Sequence, residues 1–161
     1  MKSLVVSIGA VVAALSLTYG LGIASASSSS SARTATKVGT ASSKLGRILV
    51  DRHGRTLYLF AKDRHGKSAC SGLCAGYWPA LTTKGKPQAV NGAHKTLLGT
   101  TRRSDGRMQV TYRGHPLYRF SGDTAAGQTS GEGLTDFGGG WWAVSPGGNK
   151  IVSGTTPGPG Y

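Results

Sequence analysis

Two aspartates in matched positions, Asp63 and Asp123, are the residues of this sequence that most invite a chemical reading. Each lies three residues past a phenylalanine, in Tyr58-Leu-Phe60-Ala-Lys-Asp63 and in Tyr118-Arg-Phe120-Ser-Gly-Asp123. Pseudo-twofold packing would bring two such carboxylates together as the acid pair of a glycoside hydrolase. A simpler role competes: an aspartate just past a strand accepts backbone N–H bonds in the turn that ends it. That role accounts for each residue alone, so the expectation is structural and no catalytic residue is assigned.

The histidines, His53, His65, His94 and His115, fall in segments rich in Gly, Lys and Arg, where solvated turn residues are expected. A copper or zinc site built from several of them stays open, since sequence does not place them together. There is no G-x-S-x-G elbow, H-E-x-x-H pair or known phosphate-binding glycine loop. No metal and no cofactor is therefore assigned. Cys70 and Cys74, in a chain bound for an oxidising compartment, are expected to form a local disulfide contributing about 2 kcal/mol. A metal or redox pair is the alternative, but the C-x-x-C spacing is missing.

The elements that must position these residues come from a duplication. Residues 46–63 overlay residues 106–123 without a gap at an offset of 60, and eight of the 18 positions are identical. Roughly one or two matches would arise by chance. Each copy reads as a β-hairpin: a β-prone run, a polar turn ending in Gly54 or Gly114, and a second strand holding Leu-Tyr-x-Phe. On that strand Tyr58 and Phe60 share one face, the better core candidate. The Leu57/Leu59 face is expected to be partly solvated in the second copy, where Arg119 replaces Leu59. Each copy then runs through a loop to an aromatic segment, Tyr77-Trp78-Pro79 or Trp141-Trp142-Ala143. Trp78, Trp141 and Trp142 are candidates for a shallow aromatic binding platform.

Around this unit the chain divides simply. Lys2, an apolar run from Leu4 through Ile23, and Ala24-Ser25-Ala26 have the order of a signal peptide cleaved after Ala26. A retained anchor is the competing reading, disfavoured by Ser7, Ser16, Thr18 and three glycines within the run. No cysteine precedes Cys70, so a thioether-linked lipid has no attachment point. Residues 27–43 are expected to be a disordered Ser/Ala/Thr-rich leader, and 154–161 a flexible tail. Residues 44–153 are expected to form one all-β, mainly antiparallel domain, with repeat 1 at about 46–81 and repeat 2 at about 106–145.

The two motif copies resemble the secreted or lipoprotein family known for its Y-x-[FWY]-x-x-D motif, the secreted repeat of unknown function. The likeness extends to Cys70-Ser-Gly-Leu-Cys74 leading into Trp78-Pro79-Ala80-Leu81, to Leu98-Gly99-Thr100, and from Gly122-Asp123-Thr124 on to Trp141-Trp142-Ala143-Val144. It spans about residues 45–152. The resemblance implies export, with free secretion or wall retention given the missing lipid-bearing cysteine, and a loose link to alkane use. It carries no catalytic residue.

Charge supplies the remaining clue. Lys and Arg number 19 against six acids, and removing Lys2 from the formal +13 leaves +12 on the processed chain. In an exported protein this points to anionic wall polymer or an anionic lipid surface rather than nucleic acid, for which no motif is present. Charge that merely maintains solubility is the other reading. Two functions follow: a non-catalytic envelope or extracellular binding module docking on anionic polymer, or a small-ligand or metal carrier or accessory protein. No stable membrane span is expected after processing.

Overall fold

The computed structural model describes residues 35–152. The expected signal peptide, the start of the leader and the 154–161 tail lie outside the described residues. In chain order the elements are β1 (Lys37–Ser43), β2 (Gly46–Asp51), β3 (Tyr58–Phe60), the short helix α1 (Leu73–Tyr77), β4 (Thr82–Thr83), β5 (Gln88–Ala89), a 3-10 turn (Lys95–Leu97), β6 (Leu98–Arg102), β7 (Met108–Tyr112), β8 (His115–Pro116), β9 (Thr135–Asp136) and β10 (Gly139–Ala143). All pairings between strands are antiparallel except β1 with β5. The domain is all-β and built from two tandem copies.

Each copy begins one strand earlier than the hairpin seen in the sequence. β1 pairs with β2 from Val38↔Asp51 to Ser43↔Gly46, and β6 pairs in the same way with β7. The leader expected to stay disordered to Ser43 therefore gives way to a strand at Lys37. Its Ser/Ala/Thr composition hid the strand, because backbone pairing and one fully buried side chain, Val38, hold it in place of an apolar stripe. The hairpin turns need their glycines. Arg113 and Gly114 both have positive φ, 49° and 80°, as a two-residue turn between Tyr112 and His115 requires. Gly54, at φ 76°, closes the three-residue loop of the first copy.

The motif strands and the strands they follow, β2 and β7, are buried on both faces. Ile48, Val50, Tyr58, Phe60 and Tyr118 enter one core, while Leu49, Leu57, Leu59 and Leu117 enter another with Leu81, Val110 and Val144. The two-residue period thus feeds two cores, so the leucine face is core as much as the Tyr/Phe face. The partial solvation expected in the second copy is confined to Arg119, half-buried at the margin.

Topologically the copies exchange their last segments. β10 of the second copy pairs with β3 of the first, with Trp141 opposite Phe60 and Ala143 opposite Tyr58. The segment after Trp78 in the first copy pairs with the second: Ala80 bridges Tyr118, and Thr82 and Thr83 pair with Gln109 and Met108. At the centre Tyr58 and Tyr118 exchange both backbone hydrogen bonds, at 2.9 and 3.0 Å. Two equivalent residues paired in this way mark a pseudo-twofold axis.

Candidate functional site

The motif residues converge on that axis. Four rings form a continuous stack, Phe60, Trp141, Trp78 and Phe120, with successive centroids 4.0, 3.9 and 4.5 Å apart. The two tryptophans are nearly parallel, at 4°. Each tyrosine meets the tryptophan of its own copy edge-on: Tyr58 on Trp78 at 5.4 Å and Tyr118 on Trp141 at 5.1 Å. Offset stacks and edge contacts are the favoured geometries for aromatic rings, each adding about 0.5–1.5 kcal/mol to the burial itself. Gly131 makes the packing possible, since a Cβ there would lie 2.8 Å from the Trp78 ring.

The aspartates complete the exchange. The Tyr58 hydroxyl donates to Asp123 Oδ2 at 2.5 Å, and the Tyr118 hydroxyl donates to Asp63 Oδ2 at 2.9 Å. Each carboxylate also accepts a loop N–H, from Ala69 to Asp63 Oδ1 at 2.8 Å and from Ser130 to Asp123 Oδ1 at 2.9 Å. The turn-capping role accounts for only one oxygen of each carboxylate. The other holds the opposite copy, so Tyr and Asp of one motif are partners across the duplication rather than within it. The axis brings each aspartate to a tyrosine, and among the described residues no hydrogen bond joins the two carboxylates.

Burial raises both tyrosine pKa values well above the phenol range; for Tyr58 the hydrogen bond and charge of Asp123 add to it, and for Tyr118 the charge of Asp63 does. Asp63 is pushed up to about 6 by burial, against the Ala69 and Tyr118 hydrogen bonds and the charges of Arg103 and Arg64. A raised carboxyl pKa means the folded state binds the proton more tightly than the unfolded one. The Asp63 contribution to stability is then fully present below about pH 4 and lost as pH rises through about 6. Carbon NMR of the Asp63 carboxyl should titrate with a midpoint near 6. A midpoint at the ordinary value would show that the hydrogen bonds outweigh burial.

Trp78 and Trp141 are fully buried, so the expected shallow aromatic platform is not formed by them. They face each other because each copy hands its aromatic segment to the other. Trp142 is half-buried against the second core, with Lys150 5.0 Å above its ring. Cys70 and Cys74 form the expected disulfide, which packs in the first core. The four histidines are exposed, and among the described residues no group of three or more His, Cys, Asp or Glu could hold a metal ion.

One clamp had no local signal in the sequence. Buried Arg103 donates to Cys70 O at 2.7 Å, to Ser68 Oγ at 2.8 Å and to Gln109 Oε1 at 2.7 Å, tying the second copy to the disulfide loop of the first. Arg102-Arg103 before a Ser-Asp-Gly turn reads as solvated charge, and only tertiary contact distinguishes the second arginine from the first.

Both copies, from the first strand onward, match a family described as a secreted repeat of unknown function, over residues 39–82 and 99–145. The chain belongs to this family. The two matches together span more than half of it and are offset by the same 60 residues as the motifs. For this secreted-repeat protein the geometry explains what the motif does: tyrosine and aspartate lock the copies to each other, and the intervening aromatic stacks on the partner copy's tryptophan. No curated protein and no solved structure matches the chain. None of the helices in the described residues is long and apolar enough to cross a membrane.

Proposed function

We propose that this secreted-repeat domain is a non-catalytic binding module of the cell envelope or extracellular space, docking on anionic polymer through its basic surface. One observation carries the reading. Among the described residues fourteen Lys and Arg side chains are exposed, against two exposed acids, Asp105 and Asp136. The other four acids are engaged inside the fold: Asp51 with Arg55 and Arg119, Asp63 and Asp123 with tyrosines, and Glu132 with the Ala143 N–H. The duplicated core thus consumes the negative charge and leaves the cations outside. Occupation of both motif aspartates by tyrosine hydroxyls supports a non-catalytic role.

Binding to a phosphate-rich wall polymer is expected to weaken about 10²-fold between ~50 and ~200 mM salt if about four phosphates are neutralised. Co-sedimentation across a salt series measures this. Retention unchanged in roughly molar salt, where the screening length is about 3 Å, would overturn the proposal. It would favour the second reading, a carrier for an apolar ligand, which draws on exposed Leu73, Tyr77 and Phe137; the Tyr77 and Phe137 rings lie 5.9 Å apart.

A further inference from the structure

In a duplicated fold, matched residues carry what the architecture needs, and unmatched ones show what one copy does alone. The largest departure in charge lies where the first hairpin turn meets the end of the second copy's motif strand. Asp51, Arg52 and Arg119 stand there, whereas the equivalent positions at the offset of 60 hold Thr111, Tyr112 and Leu59. None of those three is ionised near neutral pH, so the shared fold does not require charge at these positions.

Asp51 is the organiser. Its side chain is 4% exposed. Oδ1 accepts the N–H groups of His53 at 2.8 Å and Arg55 at 3.1 Å. Oδ2 faces the Arg55 and Arg119 guanidiniums at 3.3 and 3.7 Å. One enclosed carboxylate thus serves two arginines. The Nε of both is buried without an acceptor among the described residues, so cationic donors exceed what the protein supplies to them. Burial lowers the Arg119 pKa, Asp51 opposes this, and the Arg55 and Arg52 charges add to it. Arg119 then opens on a cleft of about 250 Å³ that Lys37, Arg52 and His53 also line. An adjoining cleft of about 760 Å³ shares Lys37, Asp51 and Arg52 with it.

We infer that this cleft, with Arg119, Arg52 and Lys37 as its cationic lining and Asp51 as positioning residue, is a binding site for a phosphate mono- or diester group. The planar Arg119 guanidinium, held beside the buried Asp51 carboxylate, suits a tetrahedral oxyanion, and exposed Arg52 and Lys37 add charge around it. Continuity with the larger cleft suits a phosphate within a longer chain. The inference rests on the anionic-polymer reading and gives it a specific contact.

The test uses the full chain and substitutes at three positions. Arg119→Leu installs the residue that the other copy has at this place. Arg52→Gln alters an exposed side chain, so the test survives if the first variant fails to fold. Lys44→Gln removes an exposed charge at the opposite end of the β1–β2 hairpin. Inorganic phosphate should shift the amide resonances of Arg52, His53 and Arg119 saturably, and Arg119→Leu and Arg52→Gln should each weaken this by about tenfold, with Lys44→Gln near wild type. The source is read by retention on poly(glycerol phosphate) against phosphatidylglycerol vesicles, and loss with Arg119→Leu in either arm supports the site. Equal loss in Lys44→Gln and the cleft variants, or phosphate shifts spread over the exposed lysines, overturns the site while polymer docking stands. A saturable phosphate shift with no retention on polymer or vesicles keeps the site and removes the docking role.

Discussion

Residues 35–93 and residues 94–152, produced as separate chains, are expected to be unfolded alone and to recover the native near-ultraviolet signal when mixed. Each half contains the strands of its own first hairpin, β1 with β2 or β6 with β7, but loses what the other contributes. The first loses β10 from the edge of β3, the Trp141 ring from the stack and the Asp123 carboxylate from Tyr58. The second loses the Trp78 ring and the Ala80–Thr83 segment that pairs with β7 and Tyr118. A chain of about 60 residues is marginal even with a complete core, and neither half encloses a core of its own. Dispersed amide spectra from either half by itself would show that the copies are independent units, against this prediction.

Within the intact chain the largest single-residue effects are expected at the stacked tryptophans. Trp141→Ala or Trp78→Ala should cost about 3–5 kcal/mol, the range for deleting a large buried aromatic. Each ring is fully buried and stacked on both faces. Trp142→Ala should cost clearly less, because that ring is half-buried and meets Lys150 on one side. Denaturant melts of the three variants decide the ranking. A surface platform would give the opposite result, with small stability changes at all three positions and the loss appearing in binding.

The duplication and the all-β class were legible because the Leu-Tyr-x-Phe strands and turn glycines repeat at a fixed offset, and a two-residue period states which side chains share a face. The short-range disulfide was legible from two cysteines in a chain expected to be exported. The first strand of each copy was not. Lys37–Ser43 is polar and small, and backbone pairing holds it where an apolar pattern is lacking. Exchange of the terminal segments was also hidden, because Trp78 and Trp141 look alike whether they serve their own copy or the other. That ambiguity made them candidates for a surface platform, although they are the centre of the core. Arg103 and Arg119 show the same limit for charge: sequence marks both as cations, and only tertiary context separates a buried clamp from a residue at the margin of a cleft.

In this chain the Tyr-x-Phe-x-x-Asp segments join the two copies, and one measurement reaches that claim directly: a pair of double-mutant cycles on Tyr58. Tyr58→Phe combined with Asp123→Asn should show a coupling energy of about 1.5–3 kcal/mol, the range for a hydrogen bond to a charged group. The same tyrosine variant combined with Asp63→Asn, the aspartate of its own motif, should be additive within about 0.5 kcal/mol. Strong coupling to Asp63 with additivity at Asp123 would contradict the account, because it would place the Tyr–Asp bond inside each repeat instead of between the two.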